Sequence, residues 1–254
     1  MRFLSRYHPR YIRSLIYMLQ TSEYDASEFL RWDLRVKDFR RVEHRGHLKY
    51  TGKAMLLTAL AWFYVAIAAI IIVAGLLPAS GDIRHIVALI FVFFFPLMLP
   101  YLLAATTRLV NRAQRPYEAL IIARAQQKLA AHKSLKIAIA GSYGKTSMRE
   151  ILRTVLSEGK KVAAPGGSEN TPLAIAKFIE RLQDDEDILI FELGEYYPGD
   201  IKALCEFVEP KIGIITGVNE AHLSKFKTVE AAAATIFELA DFVSPRDLFV
   251  NADS

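Results

Sequence analysis

The stretch "IAIAGSYGKTSMREIL", residues 137–152, decides the fold. Its first four residues are apolar in the manner of a buried strand, Gly141 and Gly144 mark a turn, and a helical pattern follows at once. At the end of the turn stand Lys145 and Thr146, side by side. Glycines let the backbone close around an anion, and the helix start offers free N–H groups and the positive end of its dipole. Lys145 is placed to neutralise nucleotide phosphates, and the Thr146 hydroxyl to ligate Mg²⁺. The strict phosphate-loop spacing asks for a glycine five residues before Gly144, where Ile139 stands. The strand–turn–helix context therefore carries the reading, which names Gly141, Ser142, Gly144, Lys145, Thr146 and Ser147 as the nucleotide-holding residues.

Outward from this stretch, short apolar runs alternate with amphipathic helical patterns to the last residue. "KKVAAP", "DILIFELG", "KIGIITG" and "DLFVNADS" read as strands, and "TPLAIAKFIERLQ", "GDIKALCEFV" and "TVEAAAATIFELADFV" as helices. Apolar strands alternating with helices imply a mostly parallel sheet covered on both faces. Glu192 falls where the run "ILIFE" meets the carboxyl edge of that sheet, the place where ligand sites of open α/β sheets gather. A carboxylate there can hold the Mg²⁺ that bridges nucleotide phosphates. His222 sits beyond the next strand and its glycine, in "IGIITGVNEAHL".

The N-terminal half is of another kind. From Ala54 to Pro78 no charged residue occurs in 25 positions, and from Ile86 to Thr107 none in 22. About 20 apolar residues suffice to cross a bilayer as a helix, so both runs are expected to span it. Residues 1–53 carry 12 Lys/Arg against 6 Asp/Glu, and residues 108–136 carry 7 against 1. Positive flanks mark the cytoplasmic side. A two-helix hairpin in the cell membrane is expected, with both termini cytoplasmic and only about Pro78–His85 outside.

Residues 137–254 hold 12 basic and 19 acidic residues. The basic pI of about 9.2 therefore belongs to the membrane-proximal segments, and no nucleic-acid partner is expected. One cysteine, Cys205, excludes an intrachain disulfide and a cysteine-rich metal site. Within 1–53, "RYIRSLIYMLQ" puts Ile12, Leu15, Ile16 and Leu19 on one helical face, and Phe29, Trp32, Val36 and Phe39 repeat the theme. Such basic amphipathic helices either lie on anionic lipid or pack on the soluble domain or on each other.

The expected organisation is a basic amphipathic segment over 1–53, a transmembrane hairpin over 54–107, a linker helix over 108–134 and an α/β nucleotide-binding domain over 135–254. Four motifs in order, GSYGKTS, SENTPLAIAKFI, FELGEYYPGDI and PKIGIITGVNEAHLSKF, resemble the central ATP-binding domain of the Mur ligases. The likeness is greatest to the branch that adds D-alanyl-D-alanine to the muramoyl-tripeptide nucleotide. The resemblance covers about 137–254. It implies an ATP- and Mg²⁺-dependent ligase of cell-wall synthesis that activates a muramoyl-peptide carboxylate as an acyl-phosphate, which an amino-acid or dipeptide amine then attacks. It also implies catalytic roles for Lys145, Glu192 and His222. Thr146 and Glu192 would hold one metal, His222 would help hold a second, and Asn170 would lie near the substrate.

Three departures from the family pattern stand out. Ile236 occupies the slot of a lysine that the family carbamylates to ligate the second metal, although Glu238 is present two residues later. The family's uridine-nucleotide domain is replaced by basic helices and apolar runs. The pattern also stops at "VNADS", so a C-terminal ligase part is expected in the same chain or another, and the 254 residues alone are expected to form no amide. A membrane scaffold that binds nucleotide without ligase chemistry is the rival reading.

Overall fold

A computed structural model describes residues 2–45, 47–76, 82–167, 169–219, 226 and 228–252. The chain divides into two compact units, Met1–Arg115 and Pro116–Ser254.

The first unit is helical: α1 (Arg2–Ser5), α2 (Tyr11–Thr21), α3 (Ala26–Arg35), a 3₁₀ segment (Phe39–Arg45), α4 (Gly52–Leu76) and the first part of α5 (Asp82–Ala131). Asp25 starts α3 by accepting from the Ser27 and Glu28 amides, an N-cap of the usual kind. The apolar faces of the amphipathic segment pack on one another and on the two apolar helices, a partner that the sequence did not indicate. Leu15, Ile16, Leu19, Phe29 and Phe39 are fully buried, in one cluster with Ala54, Leu57 and Ala61 of α4 and Leu99, Leu103 and Ala104 of α5. Trp32 is half-buried against it.

The proline pattern of α5 explains part of this attachment. Proline has no N–H, so the carbonyl four residues earlier loses its helical partner. Pro96 frees the Val92 carbonyl, which accepts from the Tyr7 hydroxyl at 2.9 Å. Pro100 frees the Pro96 carbonyl, which accepts from the Tyr11 hydroxyl at 2.8 Å and from Arg6 Nη1 at 3.3 Å. Arg6 is buried and paired with Asp33 at 2.9 Å. The linker helix expected over 108–134 is no separate element, because α5 continues unbroken from the second apolar run to Ala131. Both α4 and the apolar part of α5 are long and apolar enough to cross a membrane by length and composition.

The second unit holds a five-stranded sheet: β1 (Leu135–Ala140), β2 (Val162–Ala163), β3 (Ile188–Glu192), β4 (Ile212–Ile215) and β5 (Leu248–Val250). The spatial order is β2-β3-β1-β4-β5, and every pair is parallel, so the fold class is α/β as expected. The intervening helices are α6 (Lys145–Leu156), α7 (Pro172–Glu180), α8 (Asp200–Val208) and α9 (Val229–Phe237), with a 3₁₀ turn at Glu238–Asp241. Alternation along a strand sends successive side chains to opposite faces. Ile137 and Ile139 of β1, with Ile188 and Ile190 of β3, pack under Met148, Leu152 and Leu156 of α6. Ala138, Ala140, Leu189 and Phe191 face the other way, into a core with α7, α8, α9 and Ile121, Ala125 and Leu129 of α5. The chain fills one side of β1 first and then crosses to the other with β4. The carboxyl ends of β1, β3 and β4 therefore meet where the strand order reverses, the position at which a ligand crevice opens in such sheets.

Candidate functional site at the carboxyl edge of the sheet

The turn after β1 is shaped by two glycines. Gly141 has φ +142°, and a Cβ there would collide with Thr216 Oγ1 and approach the Gly217 carbonyl oxygen at 3.0 Å. Thr216, at the end of β4, belongs to the turn: its hydroxyl donates to the Tyr143 carbonyl at 2.6 Å. The Ser142 amide donates to the Gly217 carbonyl at 2.8 Å. Gly144, at φ +75°, is the N-cap of α6 and leaves that helix without a side-chain cap. The first-turn amides of α6 thus point out of the sheet edge with nothing from their own cap residue, a ready anion site.

Thr146 and Glu192, both named from the sequence, meet directly, while Lys145 turns to a different carboxylate. Thr146 Oγ1 donates to Glu192 Oε2 at 3.0 Å. Glu192 is only 2% exposed, at the last position of β3, in register with Ile139 of β1. Its Oε1 lies 2.7 Å from Arg149 Nη1, an ion pair without an aligned hydrogen bond. Arg149 is buried as well; its Nη1 donates to the Gly167 carbonyl at 2.7 Å and its Nη2 to Glu150 Oε1 at 2.6 Å. Lys145 Nζ donates to Glu195 Oε2 at 2.7 Å and Oε1 at 3.0 Å, and also to the Gly141 carbonyl.

Arg149 and Glu195 were missed in the sequence. Arg149 had a signal, since it stands four residues after Lys145 and shares its helix face. Glu195 had none, because a loop glutamate three residues past a strand resembles any solvated charge.

Of the remaining residues, Asn170 is buried and neighbours the end of β3. Its backbone carbonyl accepts from the Gly194 amide at 3.1 Å, and its Oδ1 from the Tyr196 hydroxyl at 3.5 Å. Ser147 lines a cavity of about 410 Å³ with Gly144, Ile151, Thr216, Phe249 and Asn251. His222 lies outside the described residues. Ile236 is fully buried in the core, with no group there to ligate a metal. Glu238 takes amides from Gly199 at 3.0 Å and Lys202 at 2.8 Å, so it caps α8. Thr146 and Glu192 supply a hydroxyl and a carboxylate, hard oxygen donors of the kind Mg²⁺ takes. Among the described residues no cluster of three or more His, Cys, Asp and Glu forms a metal site.

Comparison with known proteins agrees with this geometry. Residues 139–254 match the Mur ligase middle domain family. The UDP-N-acetylmuramoyl-tripeptide–D-alanyl-D-alanine ligase of Rickettsia prowazekii is 35% identical over 136 residues, covering 51% of this chain and 30% of that protein. The enzyme of the same name from Borreliella burgdorferi is 36% identical over 98 residues, covering 39% of this chain and 21% of that protein. The chain thus spans less than a third of the length of these relatives. In fold it is similar to MurF from Acinetobacter baumannii, with a TM-score of 0.50 at 22% identity over 52% of this chain and 30% of the other. The segment from Ile139 to Ser254 is therefore similar to the middle domain of the Mur ligases.

Proposed function

We propose that this chain is the nucleotide-binding part of an ATP-dependent amide ligase of peptidoglycan precursor synthesis, held at the membrane. One observation carries the reading: Lys145, Thr146 and the buried carboxylate of Glu192 converge at the carboxyl edge of a parallel sheet, at the open start of α6. ATP is the phosphoryl donor. Lys145 faces its β/γ-phosphates, and the amides of the turn from Gly141 to Ser147 surround them. Thr146 and Glu192 would hold Mg²⁺, which supplies charge neutralisation for the transferring group. A muramoyl-peptide carboxylate takes the γ-phosphoryl, and ADP leaves. An amino-acid or dipeptide amine then attacks the acyl carbon and expels phosphate, giving the amide. Asn170 would lie near the substrate, as the family resemblance implies, and a further ligase part would supply the amine. By the family resemblance, His222 would help hold a second metal.

The apolar helices α4 and α5 attach this machinery to membrane lipid, with residues 1–53 and 108–254 in the cytoplasm beside the basic flanks. Ile236 favours a second reading, a nucleotide-binding scaffold without ligation, because its side chain can neither form a carbamate nor coordinate an ion. Calorimetric titration of the full chain in detergent with ATP and Mg²⁺ tests the shared core of both. Binding that is equally tight with Lys145→Ala would overturn it, and ADP formation dependent on a muramoyl-peptide would favour the ligase.

A further inference from the structure

The side of α5 that the N-terminal helices cover runs through Val92, Pro96, Leu99, Leu103, Thr107 and Asn111, at steps of three and four residues. The carbonyls of Val92, whose side chain is exposed, and of Pro96 accept from Tyr7, Tyr11 and Arg6. Leu99, Leu103 and Thr107 are buried, and Asn111 donates to the Tyr24 carbonyl at 3.1 Å. Asn111 is nineteen residues beyond Val92, about 28 Å at a rise of about 1.5 Å per residue. That is nearly the whole thickness of a hydrocarbon core, about 30 Å.

The outward side of this N-terminal layer bears exposed Arg10, Arg13, Arg31, Arg35 and Lys37, and Arg40 paired with Asp38. If α5 stood across a bilayer, these cations would be carried through most of the hydrocarbon. The other side of α5 is different. Val87, Ile90, Phe94, Met98 and Tyr101 follow the same three-and-four spacing and are all at least 45% exposed. Trp62, Phe63, Ile70 and Val73 give α4 a bare apolar surface as well. At the far end Arg84 is exposed and His85 half-exposed, a polar tip unsuited to the middle of a bilayer.

We infer that α4 and α5 form a monotopic anchor lying obliquely in the cytoplasmic leaflet of an anionic bilayer, bare face in the acyl chains and N-terminal helices among the headgroups. The polar side of this anchor is then a separate layer of the same chain, since α4 and the apolar part of α5 carry almost no polar residues of their own. Basic side chains meet lipid phosphates, Trp62 and Tyr101 suit the interfacial zone, and the charged tip returns to the side from which the hairpin entered. The spanning hairpin expected from the charge flanks alone is replaced by insertion from one side.

This inference rests on the membrane reading above. The test expresses the full chain with Ile83→Cys, or separately Arg84→Cys, in bacterial cells. Cys205 is fully buried and stays silent. A membrane-impermeant maleimide should label either cysteine in inverted vesicles, and from outside intact cells at less than a tenth of the lysed control. A spin label at Phe94→Cys in anionic phospholipid vesicles should be open to oxygen and closed to a water-soluble nickel chelate, and one at Arg13→Cys the reverse. Labelling at the tip from outside intact cells, with the chain membrane-bound, overturns the single-leaflet inference alone. A chain that stays soluble and does not sediment with vesicles overturns the membrane reading with it.

Discussion

Lys145 Nζ and Glu195 Oε2 are 2.7 Å apart, with the two side chains only 13% and 3% exposed. Lys145 is therefore held by a buried carboxylate, and on the proposed function phosphate oxygens would have to take Glu195's place. Lys145→Ala should weaken ATP binding ten-fold or more, because a charge-assisted hydrogen bond contributes roughly 1.5–3 kcal/mol. It should also lower the melting temperature, since Glu195 is left as an unpaired buried charge. Adding Glu195→Gln to Lys145→Ala should restore part of that stability. Glu195→Gln alone should tighten ATP binding by a few-fold. Calorimetry and thermal melts of the three variants check the pair, and an unchanged affinity in Glu195→Gln would remove the competition.

Glu192 and Thr146 make a separate prediction about metal. Glu192→Gln keeps an acceptor for Thr146 but removes the charge that faces Arg149 and that would face the proposed metal. ATP affinity measured with and without Mg²⁺ should then converge, where the unaltered chain shows a clear Mg²⁺ gain. A Mg²⁺ gain as large in Glu192→Gln as in the parent would assign the metal elsewhere.

Two glycines separate backbone need from chance. Gly141→Ala places a Cβ against Thr216 Oγ1 at φ +142°, and should cost about 1–3 kcal/mol of stability. Gly159 has nothing within 4 Å of an added Cβ, so Gly159→Ala should change stability by less than about 1 kcal/mol. Urea melts of both variants decide this, and equal stability would contradict the strained turn.

Cys205 lies on the buried face of α8, where burial, followed by the nearby charges of Glu238 and Glu206, pushes its thiol up to about 12. A raised acid pKa favours the protonated thiol in the fold. Its contribution is complete below the ordinary value of 9.0 and is lost as pH rises from there toward about 12. The native chain should resist a chromogenic disulfide reagent at pH 8 and react fully in denaturant. Rapid reaction without denaturant would show that α8 opens readily.

Glu186 has the opposite sign. Burial pushes its carboxyl up, but amides from Gln183 and its own backbone, with His132 at 3.1 Å, hold it below the ordinary 4.5. Its stabilising contribution is present above 4.5 and is lost as pH falls through the lower folded value. Glu186→Gln should flatten the acid limb of a stability–pH curve between about pH 5 and 2, measured by melts at each pH, and a limb of unchanged steepness would show that the pairing contributes nothing.

The sequence by itself determined the alternation of strands and helices, the glycine turn after β1, the partnership of Lys145 with Thr146 and the two apolar runs. Those features are local: period, turn geometry and helix starts depend on neighbours in the chain. The placement of Glu192 at a strand's carboxyl end was legible for the same reason. Tertiary structure alone decided that Glu195 would oppose Lys145 and that Thr216, seventy-five residues after Gly141, would close the turn. It also decided that the amphipathic N-terminal helices would bury their apolar faces on the hairpin. Sequence period shows that such a face exists, but many surfaces can cover an apolar stripe. Which one does so depends on distant elements, here on the carbonyls that Pro96 and Pro100 leave open to Tyr7 and Tyr11.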